Sequence, residues 1–291
     1  MVMCGGERTV PRTQGYNEPM KIRVATYNIH KGVSSIRAEP RVLALKQAIG
    51  LFDADVVFLQ EVQGKHDLKA AKYGAEHLGT KHWPAAAQHE YFAGESRHLH
   101  AAYGMNAVYD HGHHGNALLS AFPIANMANH DVSDHAYEQR GILHCVLNTP
   151  HGIVHCYVVH LGLFEAGRRR QTQALISAVR ASAPDGEPVI IAGDFNDWRN
   201  TLSAELRNAL GVVEAFDQLG GTPSALSDIM RTLRRKSSVN PARTFPSALP
   251  FFRLDRIYVR GFKVDTAEVM HGSLWAKLSD HAPIVASLSL G

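Results

Sequence analysis

The sequence predicts an α/β protein with mixed sheets, and three observations carry that reading. Continuous apolar runs such as Val189-Ile190-Ile191-Ala192 have the length and composition of strands buried on both faces. Segments of helical period alternate with these runs along the chain. Several neighbouring strand segments are joined by short turns, which requires antiparallel pairs beside the parallel ones.

Residues 1–20 hold Glu7, Arg8, Pro11 and Arg12 and no apolar core. They read as a disordered or appended extension, not a signal peptide, with residues 21–291 as one domain. Residues 22–29 are β-branched and form the first expected strand. Residues 39–50 read as a helix, with Val42, Leu43, Leu45 and Ile49 on one face and Gly50 as its stop. Residues 55–59 form a second buried strand ending at Glu61. Residues 64–104 are polar and rich in His, Ala and Gly, and give no clear pattern. Residues 106–109 and 116–122 read as strands joined by a loop over 110–115, which holds His111, His113 and His114. Residues 142–148 and 153–161 make a hairpin across Thr149-Pro150-His151-Gly152. Residues 165–181 are helical, with Leu175, Ile176 and Val179 inward. A central strand over 189–192 leads to Asp194, and a helix over 198–210 follows, with Asp197 suited to cap it. Residues 220–250 read as loop, with a basic stretch from Arg231 to Lys236. Residues 254–259 and 282–290 are the closing strands.

The 291 residues are 45% hydrophobic and 20% charged, enough for a large core. The net charge of +3 is mildly basic and compatible with a phosphate-bearing substrate. No apolar run approaches the ~18 residues of a membrane helix. Cys4, Cys145 and Cys156 form no paired framework, so a reducing cytoplasm is expected.

Polar clusters stand at the ends of the apolar runs: Thr26-Tyr27-Asn28-Ile29-His30, Leu59-Gln60-Glu61-Val62, Val159-His160-Leu161, Gly193-Asp194-Phe195-Asn196, Leu254-Asp255-Arg256-Ile257 and Ser279-Asp280-His281-Ala282-Pro283. Strand-end polar groups drawn from both halves of a chain suggest one site. Hard oxygen donors suit Mg²⁺ or Mn²⁺, and histidines suit proton transfer. Metal-assisted phosphoester hydrolysis needs that combination.

Each residue has a bland alternative. Glu61 is either a solvated carboxylate or a metal ligand. Asn28 either caps a turn or holds metal or phosphate. Asp194 either bonds backbone amides in a turn or deprotonates a water, with Asn196 on a phosphate oxygen. Asp255 lies in an apolar strand and needs a partner. His281 would satisfy it and gain a raised pKa, fitting it to stabilise phosphoryl charge. His160 is either a core histidine or a second donor or leaving-group acid. Arg140 is either a surface charge or a phosphate clamp.

In their order, Thr-Tyr-Asn-Ile-His, Leu-Gln-Glu-Val, Gly-Asp-Phe-Asn, Leu-Asp-Arg-Ile and Ser-Asp-His-Ala-Pro resemble the endonuclease/exonuclease/phosphatase superfamily from about residue 21 to the C-terminus. The resemblance implies a four-layer α/β sandwich with two facing mixed sheets. It implies Glu61 as metal ligand with Asn28 and Asp280 near metal or phosphate. It further implies Asp194 and Asn196 around the attacking water, Asp255 and His281 as a phosphate-binding pair, and His160 as the second histidine of the deoxyribonuclease and sphingomyelinase branches. Asn-Ile-His-Lys-Gly, Gly-His-His-Gly-Asn-Ala, Ala-Arg-Thr-Phe-Pro and Leu-Asp-Arg-Ile-Tyr-Val look like one bacterial branch, whose genes often lie beside those for cardiolipin synthase. The Trp-x-Gly-Asp motif of the inositol 5-phosphatases is absent, because the chain reads Ile191-Ala192 before Gly193.

The expectation is therefore a Mg²⁺- or Mn²⁺-dependent phosphoesterase, acting as a monomer by in-line attack of water on phosphorus. DNA or RNA is the first substrate, and the 231–236 stretch either meets backbone phosphates or is a solvated loop. A phospholipid or small phosphoester is the alternative, with peripheral lipid contact left open. A binding module without activity is the weaker rival, because it would not need these groups together.

Overall fold

The computed structural model describes residues 20–34, 38–74, 81–94, 97–134, 138–220 and 242–290. One six-stranded sheet is built from β1 (Lys21–Asn28), β2 (Val56–His66), β3 (His100–Tyr109), β4 (Gly112–Ser120), β11 (Phe262–Val269) and β12 (Ile284–Leu290). Its spatial order is β11-β12-β1-β2-β4-β3. The second contains β5 (Ile124–Asp131), β6 (Gly141–Thr149), β7 (Gly152–His160), β8 (Val189–Asp194), β9 (Val213–Glu214) and β10 (Asp255–Arg260), in the order β5-β6-β7-β8-β10-β9. The helices are α1 (Val42–Gly50), α2 (Asp67–Tyr73), α3 (Gln88–Ala93), α4 (Glu165–Ser182), α5 (Ser203–Leu210), α6 (Ala215–Leu219) and α7 (Ser273–Leu278).

Apolar side chains on both faces of the central strands account for the layering. Val24, Phe58 and Leu118 of the first sheet meet Leu143, Val158 and Ile190 of the second between the sheets. The opposite face of the first sheet, with Tyr27, Val57 and Leu59, packs on Leu45 and Ile49 of α1, Phe92 of α3 and Trp275 of α7. The opposite face of the second, with Tyr157, Val159 and Ile191, packs on Leu175, Ile176 and Val179 of α4 and Leu206 of α5. The result is the expected four-layer α/β sandwich. Fully burying one such side chain contributes about 1.5–3 kcal/mol before entropy is counted.

Each sheet is antiparallel except at one central pair. β1 runs parallel to β2 and β7 parallel to β8. Asn28 pairs with Gln60 in the first register and His160 with Asp194 in the second. The carboxyl ends of the parallel pairs, where α/β folds gather functional groups, thus deliver Asn28, His160 and Asp194, with Glu61 next after Gln60.

Several expectations change. β2 does not stop at Glu61 but continues to His66, because a bulge between Leu59 and Val62 absorbs the irregularity. His113 and His114 lie within β4, not in a loop. Residues 64–104 hold α2, α3 and the start of β3. The edge strand β5, the strand β11 and the helix α7 went unread. The helix expected over 198–210 begins only at Ser203. Asp197 is therefore not its immediate cap: its carboxylate accepts from the Leu202 amide and the Thr201 hydroxyl. Met20 is buried, and its carbonyl accepts from the Leu290 amide, so the folded body includes it. The rest of the expected extension and the basic stretch 231–236 lie outside the described residues.

Candidate active site

The site forms where the two sheets meet at the carboxyl ends of their parallel pairs. Asn28 closes β1, and Glu61 sits in the β2 bulge with φ 56°. That left-handed conformation costs on the order of 1–3 kcal/mol in a residue with a Cβ and re-aims its side chain. His30, Lys31 and Asn196 share it, so backbone strain collects around the site. Gly193 has φ 150°, and a Cβ there would fall 1.9 Å from the Val159 carbonyl oxygen. Only glycine lets β8 approach β7 so closely just before Asp194.

Asp194 is the hub. Its Oδ1 accepts the Asn196 amide at 2.9 Å, and its Oδ2 accepts Asn28 Nδ2 at 3.2 Å, a bond that joins the sheets. The same Oδ2 lies 3.6 Å from Nε2 of both His160 and His281. His281 Nδ1 is 2.8 Å from Asp255 Oδ2. The other Asp255 oxygen is buried without a hydrogen-bond partner. Asn28 Nδ2 also points at Glu61 Oε1, 3.5 Å away. Lys31 Nζ stands 3.7 Å from Glu61 Oε2, and His30 Nδ1 stands 3.2 Å from Asp280 Oδ1. Ser279 Oγ donates to the Asn28 carbonyl, tying the Asp280–His281 segment to the end of β1.

Burial raises the Asp194 carboxyl to about 6, although His281 pulls the other way. Burial alone would push the His281 imidazole down. The charges of Asp255 and Asp194 and the hydrogen bond to Asp255 together outweigh it and hold the pKa up at about 10. His160 moves in the opposite direction: burial, then the nearby Arg140 charge, push it well below the ordinary histidine value. Two histidines 3.6 Å from one oxygen are thus held in different protonation states, His281 charged and His160 neutral. His30 is raised by its hydrogen bond to Asp280.

The chemistry of the donors fits a hard divalent cation at Glu61. Among the described residues its carboxylate makes only the two long contacts already given, one to each oxygen, which leaves room for a closer ligand. Asn28 stands beside it, and Asp280 and Glu61 both act on His30, so two further oxygen donors flank the carboxylate. One oxygen each of Asp194 and Asp255 and one nitrogen of His281 also lie within 4.8 Å of one another. That cluster is a worse cation site, because His281 Nδ1 faces Asp255 and its charge is strongly held, whereas a ligating imidazole must be neutral.

Asn28, Glu61, His160, Asp194, Asp255 and His281 are therefore brought together. Asn196 is adjacent, and its Nδ2 donates one of its two N–H groups to the Leu161 carbonyl at 2.8 Å, which braces the loop. Arg140 Nε approaches the same carbonyl at 3.4 Å and its guanidinium lies 3.6 Å from Glu138, close enough for its charge to act on His160. Sequence reasoning missed Lys31, His114 and Arg256. His114 is largely buried and lowered to about 4 by that burial, with the Lys31 charge adding. Arg256, fully buried, binds the Asp197 carboxylate and carbonyl at 3.1 and 2.6 Å and pins the Asp194–Asp197 turn to β10. Its place beside Asp255 in Leu-Asp-Arg-Ile was the available signal.

Residues 25–281 match the model of the Endonuclease/Exonuclease/phosphatase family. The chain is 38% identical over 275 residues to the protein titled Uncharacterized protein YbhP of Escherichia coli K12, covering 94% of this chain and 98% of that one. The same values hold for its counterpart in Shigella flexneri. Among solved structures, an endonuclease/exonuclease/phosphatase from Beutenbergia cavernae superposes with a TM-score of 0.66 at 20% identity, over 93% of this chain and 72% of that chain. TDP2 of D. rerio, complexed with a single-strand DNA product, superposes with a TM-score of 0.61 at 18% identity, over 92% of this chain and 99% of that one.

Proposed function

The chain belongs to the endonuclease/exonuclease/phosphatase family, and from that premise we propose that it hydrolyses phosphodiester bonds of nucleic acid with Mg²⁺ or Mn²⁺. The observation that carries the reading is Asp194 Oδ2, set between a charged and a neutral histidine and bonded to Asn28 across the sheets. Above pH about 6 this carboxylate is ionised and takes a proton from the attacking water. The Asn196 amide fixes its other oxygen. The water oxygen bonds to phosphorus as the ester oxygen leaves with the electron pair of the broken bond. The His281 imidazolium donates to a phosphoryl oxygen on which charge develops. Neutral His160 serves as a hydrogen-bond donor there, not as an acid, because burial removes its charge. Glu61, with Asn28 and Asp280 beside it, would hold the divalent ion, which when bound neutralises charge on the phosphoryl oxygens. The D. rerio TDP2 complex with a DNA product supports nucleic acid as the substrate class.

A second reading, a lipid phosphodiester, is favoured by one observation. Leu163, Phe164, Trp198, Leu249, Phe251 and Phe252 are all exposed, and all lie on the segments that carry or flank His160, Asp194 and Asp255. Aromatic groups there suit nucleobases by stacking or acyl chains by burial. Purified protein assayed with Mg²⁺ or Mn²⁺ against single-stranded DNA, duplex DNA, phospholipid vesicles and bis-p-nitrophenyl phosphate decides. Turnover of DNA above vesicles supports the first reading, vesicles alone the second, and metal-independent or absent turnover of every substrate overturns both.

A further inference from the structure

A cleft of about 440 Å³ lies beside the His281 segment, and the proposed reaction does not use it. Arg243 and Ser247 line it from the loop before β10, and His271 and Ser273 line it from the segment that starts α7. That loop is laid directly along the catalytic segment. The Ser247 amide donates to the Asp280 carbonyl at 2.7 Å, and the Ala282 amide donates to the Thr244 carbonyl at 2.8 Å. The Phe245 ring stands 5.0 Å from the His281 ring. Ala242-Arg243-Thr244-Phe245-Pro246, a motif the reaction leaves without a role, is thus the strip joining cleft to catalytic pair.

The lining is one-sided in charge. Among the described residues no acid faces the cleft. Arg243 is exposed and has no ion pair or hydrogen bond among the described residues. Other arginines at this end are engaged: Arg140 with Glu138, Arg253 with Glu214 and Arg256 with Asp197. A forked guanidinium, an imidazole and a hydroxyl converging on one concavity form a donor set for a phosphate-like anion.

We propose that this cleft holds a second phosphate of the substrate, adjacent along a nucleotide chain to the one being cut. The inference rests on the phosphodiesterase reading and deepens it, since it makes chains with consecutive phosphates the preferred substrate. Arg243 supplies the bidentate contact, and His271 and Ser273 complete the shell.

The test uses thymidine carrying a p-nitrophenyl phosphodiester on one hydroxyl and either a phosphate or a free hydroxyl at the other, in both orientations. Bis-p-nitrophenyl phosphate sets the single-phosphate baseline. In at least one orientation the added phosphate should raise kcat/KM by about tenfold or more, the effect of a charge-assisted contact. Arg243→Gln should abolish that gain and Arg243→Lys retain part of it. Arg169→Ala, which breaks an exposed pair with Glu165 on α4, should leave it intact. No gain in either orientation, or a gain that survives Arg243→Gln, overturns the proposal. Failure to cut even bis-p-nitrophenyl phosphate would refute the hydrolase reading instead. Calorimetry with thymidine 3′,5′-bisphosphate against the 5′-monophosphate then still tests the cleft, and equal affinities would overturn it.

Discussion

The two sheets contribute unlike halves to one site. The second sheet and the segment after α7 bring Asp194, Asp255, His160 and His281, all buried and already close to one another. The first sheet brings Asn28, Glu61, His30 and Lys31, with three of the four in left-handed backbone and Glu61 held only by long contacts. One half is buried and knit by the Asp255–His281 pair and the Asp194 contacts. The other stores strain and holds its carboxylate only at long range, by Lys31 and Asn28. The difference teaches that the halves should fail differently when altered, one in turnover and the other in cation dependence.

Asp194→Asn is the strongest way to break the contrast. It keeps the shape and removes the base, and turnover should fall about 10³-fold, within the range of general-base removal. The melting temperature should hold or rise, because an ionised carboxylate no longer has to be buried. Turnover within tenfold of wild type, measured by single-turnover kinetics, would return Asp194 to a purely structural role.

His281→Ala comes next, with an expected loss on the order of 10² in turnover. Asp255→Asn should approach that loss at alkaline pH but less so in mildly acidic buffer, where His281 is charged regardless. A melt beside each assay separates instability from chemistry, and near-normal turnover by folded His281→Ala would remove it from the mechanism.

Glu61→Gln probes the other half. The Mn²⁺ concentration for half-maximal activity should rise by about tenfold or more, since a hard cation loses its charged ligand. Saturating metal should recover part of the rate. A variant with unchanged Mn²⁺ affinity by calorimetry would move the ion elsewhere, first to the Asp194–Asp255 cluster.

The smallest effect, and the sharpest, is the pH profile. As pH falls through about 6 Asp194 gains a proton and activity should drop. As pH rises through about 10 His281 loses its charge and activity should drop again. Asp255→Asn should move the alkaline limb toward neutrality and the acid limb to lower pH, because the Asp255 charge raises both groups. A profile whose acid limb alone moves would exchange the assigned roles.

The buried half was readable because its residues end continuous apolar runs: Val189–Asp194 announces both a strand and what terminates it. The strained half was less so. A strand was expected to stop at Glu61, since a bulge inserts a residue without changing composition, and period-based reading has no term for it. Positive φ at His30 and Lys31 leaves no trace in residue type, so those side chains went unassigned despite the Asn-Ile-His-Lys-Gly motif. The strand β5 escaped because Asn126, Asn129 and His130 dilute its pattern at an exposed edge. The brace by Arg256 escaped for a different reason: a buried arginine is legible only once its partner, Asp197, is seen opposite it.

The pairing of β1 with β12 has a consequence for synthesis on the ribosome. Arg23 bonds to Ser287 across 264 residues of sequence, and β12 lies between β1 and β11. The first strand therefore emerges with one edge unpaired, and that edge cannot close until nearly the whole chain has been made. Asp280 and His281 arrive only with that closing segment. A nascent or prematurely terminated chain would carry Asn28, Glu61 and Asp194 but lack the imidazolium opposite them. On the proposed chemistry it would cut far more slowly than the finished protein in the crowded, nucleic-acid-rich surroundings in which it is made.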